Sequence, residues 1–159
     1  MINFTYYGEI KGKGRPRFRN AGKFIQTYTD PKTRQYEATL KEAYLNAKQE
    51  SFMNPAEQLK FKMKVFQPIP KSTTKKKKNE MIEGIIRPTK KPDIDNIIKS
   101  VFDSLNQVAF YDDTQIIELE VSKFYSETPR IEITIEQCEK KHISHSQTLE
   151  KNTIFDFLE

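Results

Sequence analysis

Four aspartates and a lysine are the residues of this chain best suited to chemistry. They occur in Lys91-Pro92-Asp93-Ile94-Asp95-Asn96-Ile97-Ile98-Lys99 and in Tyr111-Asp112-Asp113-Thr114-Gln115. Asp93 and Asp95 are two residues apart at the start of an expected helix, and in extended chain that spacing points both side chains the same way. Asp112 and Asp113 precede an expected strand. If that strand runs beside the helix N-terminus, three or four carboxylates converge. Mg²⁺ favours such hard oxygen donors and completes its shell with water and substrate phosphate. A metal of this kind activates water and offsets charge on a departing oxygen. Each aspartate alone has a simpler reading, as a helix cap for Asp93 or Asp95 and as a turn for Asp112-Asp113. Lys99 lies four residues after Asp95 on one helix face. Spacing alone favours a surface ion pair worth about 0.3–0.5 kcal/mol over a cation at a scissile phosphate. Asn96 reads as a helix-start hydrogen bond, and Asp103 as solvent-exposed.

The surroundings are basic. The 159 residues carry 27 Lys and Arg against 22 Asp and Glu, a net charge of +5, and the excess gathers in residues 11–23 and 71–78. Clustered charge of this sign suits a polyanion. In Gly12-Lys13-Gly14-Arg15-Pro16-Arg17-Phe18-Arg19, three arginines alternate around an aromatic. Guanidinium forks match phosphate oxygens, and a base can stack on Phe18. Lys32 and Arg34 extend the same track. The expected DNA-binding residues are therefore Lys13, Arg15, Arg17, Arg19, Lys32 and Arg34. Lys75–Lys78 reads as a solvated run that adds salt-sensitive affinity.

These residues need a scaffold, and the pattern supplies one. Residues 2–8 read as a strand, residues 11–23 as a glycine-containing loop that can approach a ligand closely, and residues 24–28 as a short strand. Asp30-Pro31 starts a helix over about 31–49. Residues 58–67 alternate, with Leu59, Phe61, Met63 and Val65 inward and a basic outer face of Lys60, Lys62 and Lys64. Residues 71–80 suit a short helix stopped by Gly84. A second main helix follows Asp93, with Ile97, Ile98, Val101, Phe102 and Leu105 as its apolar stripe. Residues 116–124 and 130–136 are strands joined by a turn at 126–129. The fold class is α+β, a small mixed sheet packed with two main helices and an extended C-terminal tail. The division is a domain over 1–136 and a tail over 137–159, with residues 154–158 as an apolar segment that docks on a protein partner or folds back.

Other chemistries find little support. Cys138 is the only cysteine, so an intrachain disulfide is excluded. His142 and His145 lack partners at metal-ligand spacing, and no zinc, phosphate-loop or serine-nucleophile motif occurs. No apolar run approaches the roughly 20 residues of a membrane span. The N-terminal residues lack signal-peptide character. A soluble cytoplasmic protein is expected.

The motif Lys91 to Lys99, then Phe102-Asp103-Ser104-Leu105, then Asp112-Asp113-Thr114-Gln115-Ile116, resembles the RusA family of Holliday-junction resolvases of bacteria, phages and prophages. Gly14-Arg15-Pro16-Arg17-Phe18, with Tyr28-Thr29-Asp30-Pro31-Lys32-Thr33-Arg34, is similar to the start of its phage-type branch, and Arg130-Ile131-Glu132-Ile133-Thr134-Ile135 to its last strand. The resemblance runs from about residue 3 to 136. It implies a homodimeric, Mg²⁺-dependent endonuclease, with Mn²⁺ able to substitute, that cuts four-way DNA junctions by paired symmetric nicks in recombination and repair within a bacterial cell. It implies Asp93, Asp95 and Asp113 as metal-binding catalytic residues, Lys99 as the catalytic lysine, and Asp112 and Asn96 in support. A catalytically weak binder of structured DNA, and a nuclease of forks or flaps, are the alternatives.

Overall fold

Strict apolar alternation sets the strands of the main sheet. The computed structural model describes residues 1–139 apart from residues 16 and 23. Strand β1 (Ile2–Tyr7) buries Ile2, Phe4 and Tyr6. Strands β2 (Arg17–Ala21) and β3 (Phe24–Tyr28) form a separate antiparallel hairpin, with Arg17 opposite Tyr28. Residues 17–21 of the basic segment read as loop are thus strand, turned by Gly22 at φ +70. Helix α1 (Pro31–Asn46) follows, and the Asp30 carboxylate accepts from Lys32 N at 3.2 Å. Proline at the first helical position and an aspartate cap satisfy two orphan sites at once.

Strand β4 (Leu59–Pro68) is the centre of the sheet. Helix α2 (Lys75–Ile82) and helix α3 (Ile94–Leu105) lie between it and β5 (Ile116–Ser126), and β6 (Arg130–Gln137) completes the chain order. The sheet order is β1-β6-β4-β5, with β4 parallel to β5 and every other pair antiparallel. The expected mixed α+β architecture is therefore present, with the two main helices, the short helix expected near residues 71–80, and in addition a second small sheet. The turn after β5 does not make a hairpin, because β4 lies between β5 and β6. Four residue steps reach about 13–14 Å, enough to cross two strand spacings of about 4.8 Å each. Ile69 N donates to Ser126 O at 3.3 Å where this link passes the end of β4.

One sheet face carries the core. Leu59, Phe61, Met63, Val65, Ile131, Ile133 and Ile135 pack with Tyr36, Leu40 and Tyr44 of α1 and with Ile97, Val101 and Leu105 of α3. An edge-to-face contact of Phe61 with Phe102 ties α3 to β4, and one of Phe102 with Phe110 ties it to the segment before β5. Each such pair is worth about 0.5–1.5 kcal/mol beyond its burial. The opposite face is less basic than β4 alone suggests. Lys60 meets Glu118 at 2.9 Å and Lys62 meets Glu136 at 3.1 Å, so neighbouring strands neutralise these lysines. Residues 140–159 lie outside the described residues, and with them His142, His145 and the apolar segment 154–158. Among the described residues, no helix is long and apolar enough to cross a membrane.

Candidate active site

Three aspartates stand at N-caps, and they behave differently. Asp30 and Asp112 cap with their side chains, the latter accepting from Thr114 N at 2.9 Å. Asp93 is the N-cap of α3, yet its carboxylate makes no capping hydrogen bond. It stays open for another partner beside a helix terminus that favours negative charge. Asp95 sits in the first turn, so the pair is cap and helix, not an extended i, i+2 pair. Lys99 Nζ lies 3.7 Å from Asp95 Oδ2, with both side chains about two-thirds exposed. The simple ion pair expected from spacing is present, and it leaves both groups open to solvent.

The basic loop packs directly on this helix start. Lys13 N donates to Asn96 O at 2.7 Å. A Cβ on Gly12 would stand 2.9 Å from Asn96 Cβ and 3.1 Å from Pro92 Cβ. The close approach expected of this glycine is thus to α3. Loop and helix enclose an open groove of about 800 Å³ lined by Arg15, Lys32, Lys91, Asp93, Asp95 and Asn96, among others. Both signs of charge therefore face one cavity.

Lys13 has a different surrounding from the phosphate contact expected of it. Its ammonium donates to Glu37 at 2.6 Å and to Asp103 at 2.5 Å. Burial would lower its pKa, but the hydrogen bonds to Asp103 and Glu37 outweigh that and hold it above 10.5. Asp103, read as merely solvent-exposed, is a partner in this bridge. The spacing Asp95, Lys99, Asp103 already placed it on the same helix face.

The second acidic pair sits on a 3₁₀ turn, Asp113–Gln115, immediately before β5. Gln115 accepts from Tyr111 N and Asp112 N and donates to Asn54 O at 2.8 Å, which anchors the turn. Burial, then the adjacent Asp112 charge and hydrogen bond, then Asp103, raise the Asp113 carboxyl above its ordinary pKa. Hydrogen bonds from Thr114 lower that of Asp112. Asp113 thus neighbours Asp103 and is not among the residues lining the groove. Among the described residues, no three His, Cys, Asp or Glu side chains form a group able to hold a metal ion. The expected convergence of three or four carboxylates is not formed here.

The groove unites Lys13, Arg15, Lys32, Asp93, Asp95 and Asn96. Lys99 stands next to it through Asp95. Arg17 and Arg19 are on the hairpin, where Arg17 pairs with Asp30 at 2.7 Å and Arg19 with Gln26 at 2.9 Å. Arg34 is exposed on α1 outside the groove lining. Glu37 and Lys91 join the surroundings of the site without having been singled out as site residues. Glu37 carries no local motif, whereas Lys91 already stood at the head of the acidic one.

A divalent ion of the Mg²⁺ type fits the donor chemistry. Asp93 and Asp95 offer hard oxygens, one of them uncommitted, at an open groove that also admits phosphate and water. Among the described residues, no histidine or cysteine lines the groove to favour zinc.

A family model described as Endodeoxyribonuclease RusA matches residues 8–136. The uncharacterized protein YqaN of Bacillus subtilis (strain 168) is 37% identical over 138 residues, covering 86% of this chain and 96% of that protein. The family match spans the basic loop, the uncapped aspartate at the α3 start and the Asp112-Asp113 turn alike, and on that basis the chain belongs to the RusA endodeoxyribonuclease family.

Proposed function

We propose that this protein is a Mg²⁺-dependent endonuclease that resolves four-way DNA junctions by paired symmetric nicks. The observation that carries this reading is the groove in which Asp93 and Asp95 face Arg15, Lys32 and Lys91. Carboxylates alone would repel a phosphodiester, and cations alone would only bind it. Arg15, Lys32 and Lys91 hold the backbone phosphates, with Arg17, Arg19 and Arg34 extending the track beyond the groove. Asp93 and Asp95 would hold the ion, with Asp113 the third carboxylate of the set once DNA and metal are bound. When bound, Mg²⁺ supplies charge stabilisation at the phosphate and acidity to water, and Mn²⁺ substitutes for it. Lys99 presents its ammonium to the charge that develops on the phosphate oxygens. Asp112 and Asn96 support the turn and the loop contact. In-line attack of water leaves a 5′-phosphate and a 3′-hydroxyl.

A junction has near two-fold symmetry, and an isologous dimer presents two equivalent grooves to it. We assign residues 1–136 to this unit and residues 137–159 to an accessory tail that binds a partner. The test is cleavage of a labelled four-way junction against a linear duplex, with and without Mg²⁺, for the wild type and Asp95→Asn. Magnesium-dependent nicks confined to the junction, lost in Asp95→Asn with junction binding retained, support the reading. Equal cutting of the duplex points to a general nuclease, and unchanged cleavage by Asp95→Asn refutes the site.

A further inference from the structure

Lys123 is a lysine in a place where strand periodicity calls for an apolar residue. It stands on the core-facing side of β5, in register with Val65 and in the same parity as Leu119 and Val121. It is also the most buried of that row, at 8% exposure, while Leu119 is 48% exposed. Its Nζ donates to Lys90 O and to Pro92 O, each at 2.9 Å. Pro92 O belongs to the peptide unit whose nitrogen is that of Asp93. A second contact holds the strand: Arg87 Nε donates to Lys123 O at 2.8 Å, and the guanidinium lies 4.3 Å over the ring of Phe124, whose side chain points to the other face.

A buried ammonium is costly to keep, and a methionine would fill the same space without that cost. The contacts that Lys123 makes are both to the segment that enters α3. Asp93, at the end of that segment, leaves its helix amides uncapped. A free N-cap carboxylate can turn toward those amides and satisfy them. Holding the preceding peptide plane fixes the N and Cα of Asp93, and the helix that follows sets its φ, so together they set the direction in which its side chain leaves.

We propose that Lys123 is a positioning residue for the metal site. By clamping the Lys90 and Pro92 carbonyls it keeps the Asp93 carboxylate directed into the groove and away from its own helix. This rests on the reading of Asp93 as a metal-holding group. Lys123 touches neither metal nor DNA, and it acts through the backbone, as outer-shell partners of metal ligands do.

The test compares full-length wild type with Lys123→Met and Lys123→Arg. Mn²⁺ binding to the metal-free protein is followed by electron paramagnetic resonance, junction affinity is measured in EDTA, and cleavage is titrated with Mg²⁺. Lys123→Met is expected to lose about 10–100-fold in Mn²⁺ affinity, with Mg²⁺ for half-maximal cleavage rising in parallel and junction affinity in EDTA within about twofold of wild type. Lys123→Arg, which keeps charge and donors, recovers part of the loss. If Lys123→Met does not fold, Lys123→Leu, which likewise lacks a donor, is read in the same way. Any folded, neutral variant with wild-type Mn²⁺ affinity and cleavage overturns the proposal. Wild type that binds Mn²⁺ without cutting junctions sinks only the resolvase reading, and the Mn²⁺ comparison still decides Lys123. Wild type that binds no Mn²⁺ either alone or with junction DNA refutes both.

Discussion

Replacing Lys13 by methionine separates bracing of the fold from contact with DNA. The ammonium bridges Glu37 on α1 and Asp103 on α3. The Glu37 contact is the sheltered one, with side chains 25% and 15% exposed, and a charge-assisted hydrogen bond there is worth about 1.5–3 kcal/mol. Asp103 is 48% exposed, so its contact counts as a surface pair at about 0–1 kcal/mol. The loss in Lys13→Met is therefore about 1.5–4 kcal/mol. In a chain of this size the middle of that range lowers Tm by about 5–10 °C. Lys13 has its pKa held above 10.5 in the fold, so this contribution is complete below pH 10.5 and disappears as pH rises through the folded value. Thermal melts at pH 7 and pH 11 read the effect: the gap between variant and wild type is full at the first and narrows at the second. Adding Glu37→Gln to Lys13→Met restores part of the loss by removing the stranded carboxylate. Because the ammonium is already matched, the slope of log affinity for junction DNA against log salt stays unchanged. A variant that melts with wild type and loses about one unit of that slope would refute this reasoning and make Lys13 a phosphate contact.

Arg15 is exposed at the groove, and Arg15→Ala is expected to cut that salt slope by about 0.9 and weaken all junction sequences alike, as measured by titration at several salt concentrations. Gly12→Ala drives a methyl to 2.9 Å from Asn96 Cβ, and overpacking of this kind costs about 1–3 kcal/mol. Denaturant unfolding should show that loss and junction assays a parallel loss of cleavage. The raised pKa of Asp113 means that its ionisation opposes folding: its contribution is most favourable below pH 3.8 and is lost as pH rises through the folded value. Asp113→Asn is therefore expected to match wild type near pH 3 and to melt higher at pH 7 without divalent metal, while cutting less; a lower melting point at pH 7 contradicts it.

The acidic motif was legible because residue type and chain spacing carry it, and the core was legible because period-2 and period-3.6 patterns mark buried faces. The start of α1 at Asp30-Pro31 and the inward row of β6 follow directly from such local rules. Sheet order was not legible in the same way. That β4 separates β5 from β6 depends on a link crossing the sheet end, which a turn signal at residues 126–129 does not distinguish from a hairpin. Strand β3 was expected at residues 24–28, but its partner β2 was missed because alternating arginines look like a solvated loop when no apolar face accompanies them. Lys13, Lys60 and Lys62 have carboxylate partners that the sequence did not reveal, for one shared reason. Their carboxylate partners lie far along the chain, and charge balance in a fold is set by neighbours in space.

The separation of the two acidic pairs has a thermodynamic consequence. Asp95 and Asp103 are eight residues apart on α3, about 12 Å along its axis, with Lys99 between them. Asp113 neighbours the Asp103 end, whereas Asp93 and Asp95 face the groove at the other. A hard cation at either end then has one or two carboxylates and needs water or phosphate for its remaining ligands. A bound phosphodiester supplies such oxygens, so DNA and metal strengthen each other's binding by the same factor. The expected outcome is a Mg²⁺ requirement for cleavage at saturating junction that lies well below the Mg²⁺ dissociation constant of the free protein. Calorimetry on free protein and a Mg²⁺ titration of single-turnover cleavage give the two numbers. Equal values would mean that the protein alone assembles the metal site, against the spacing of these carboxylates along α3.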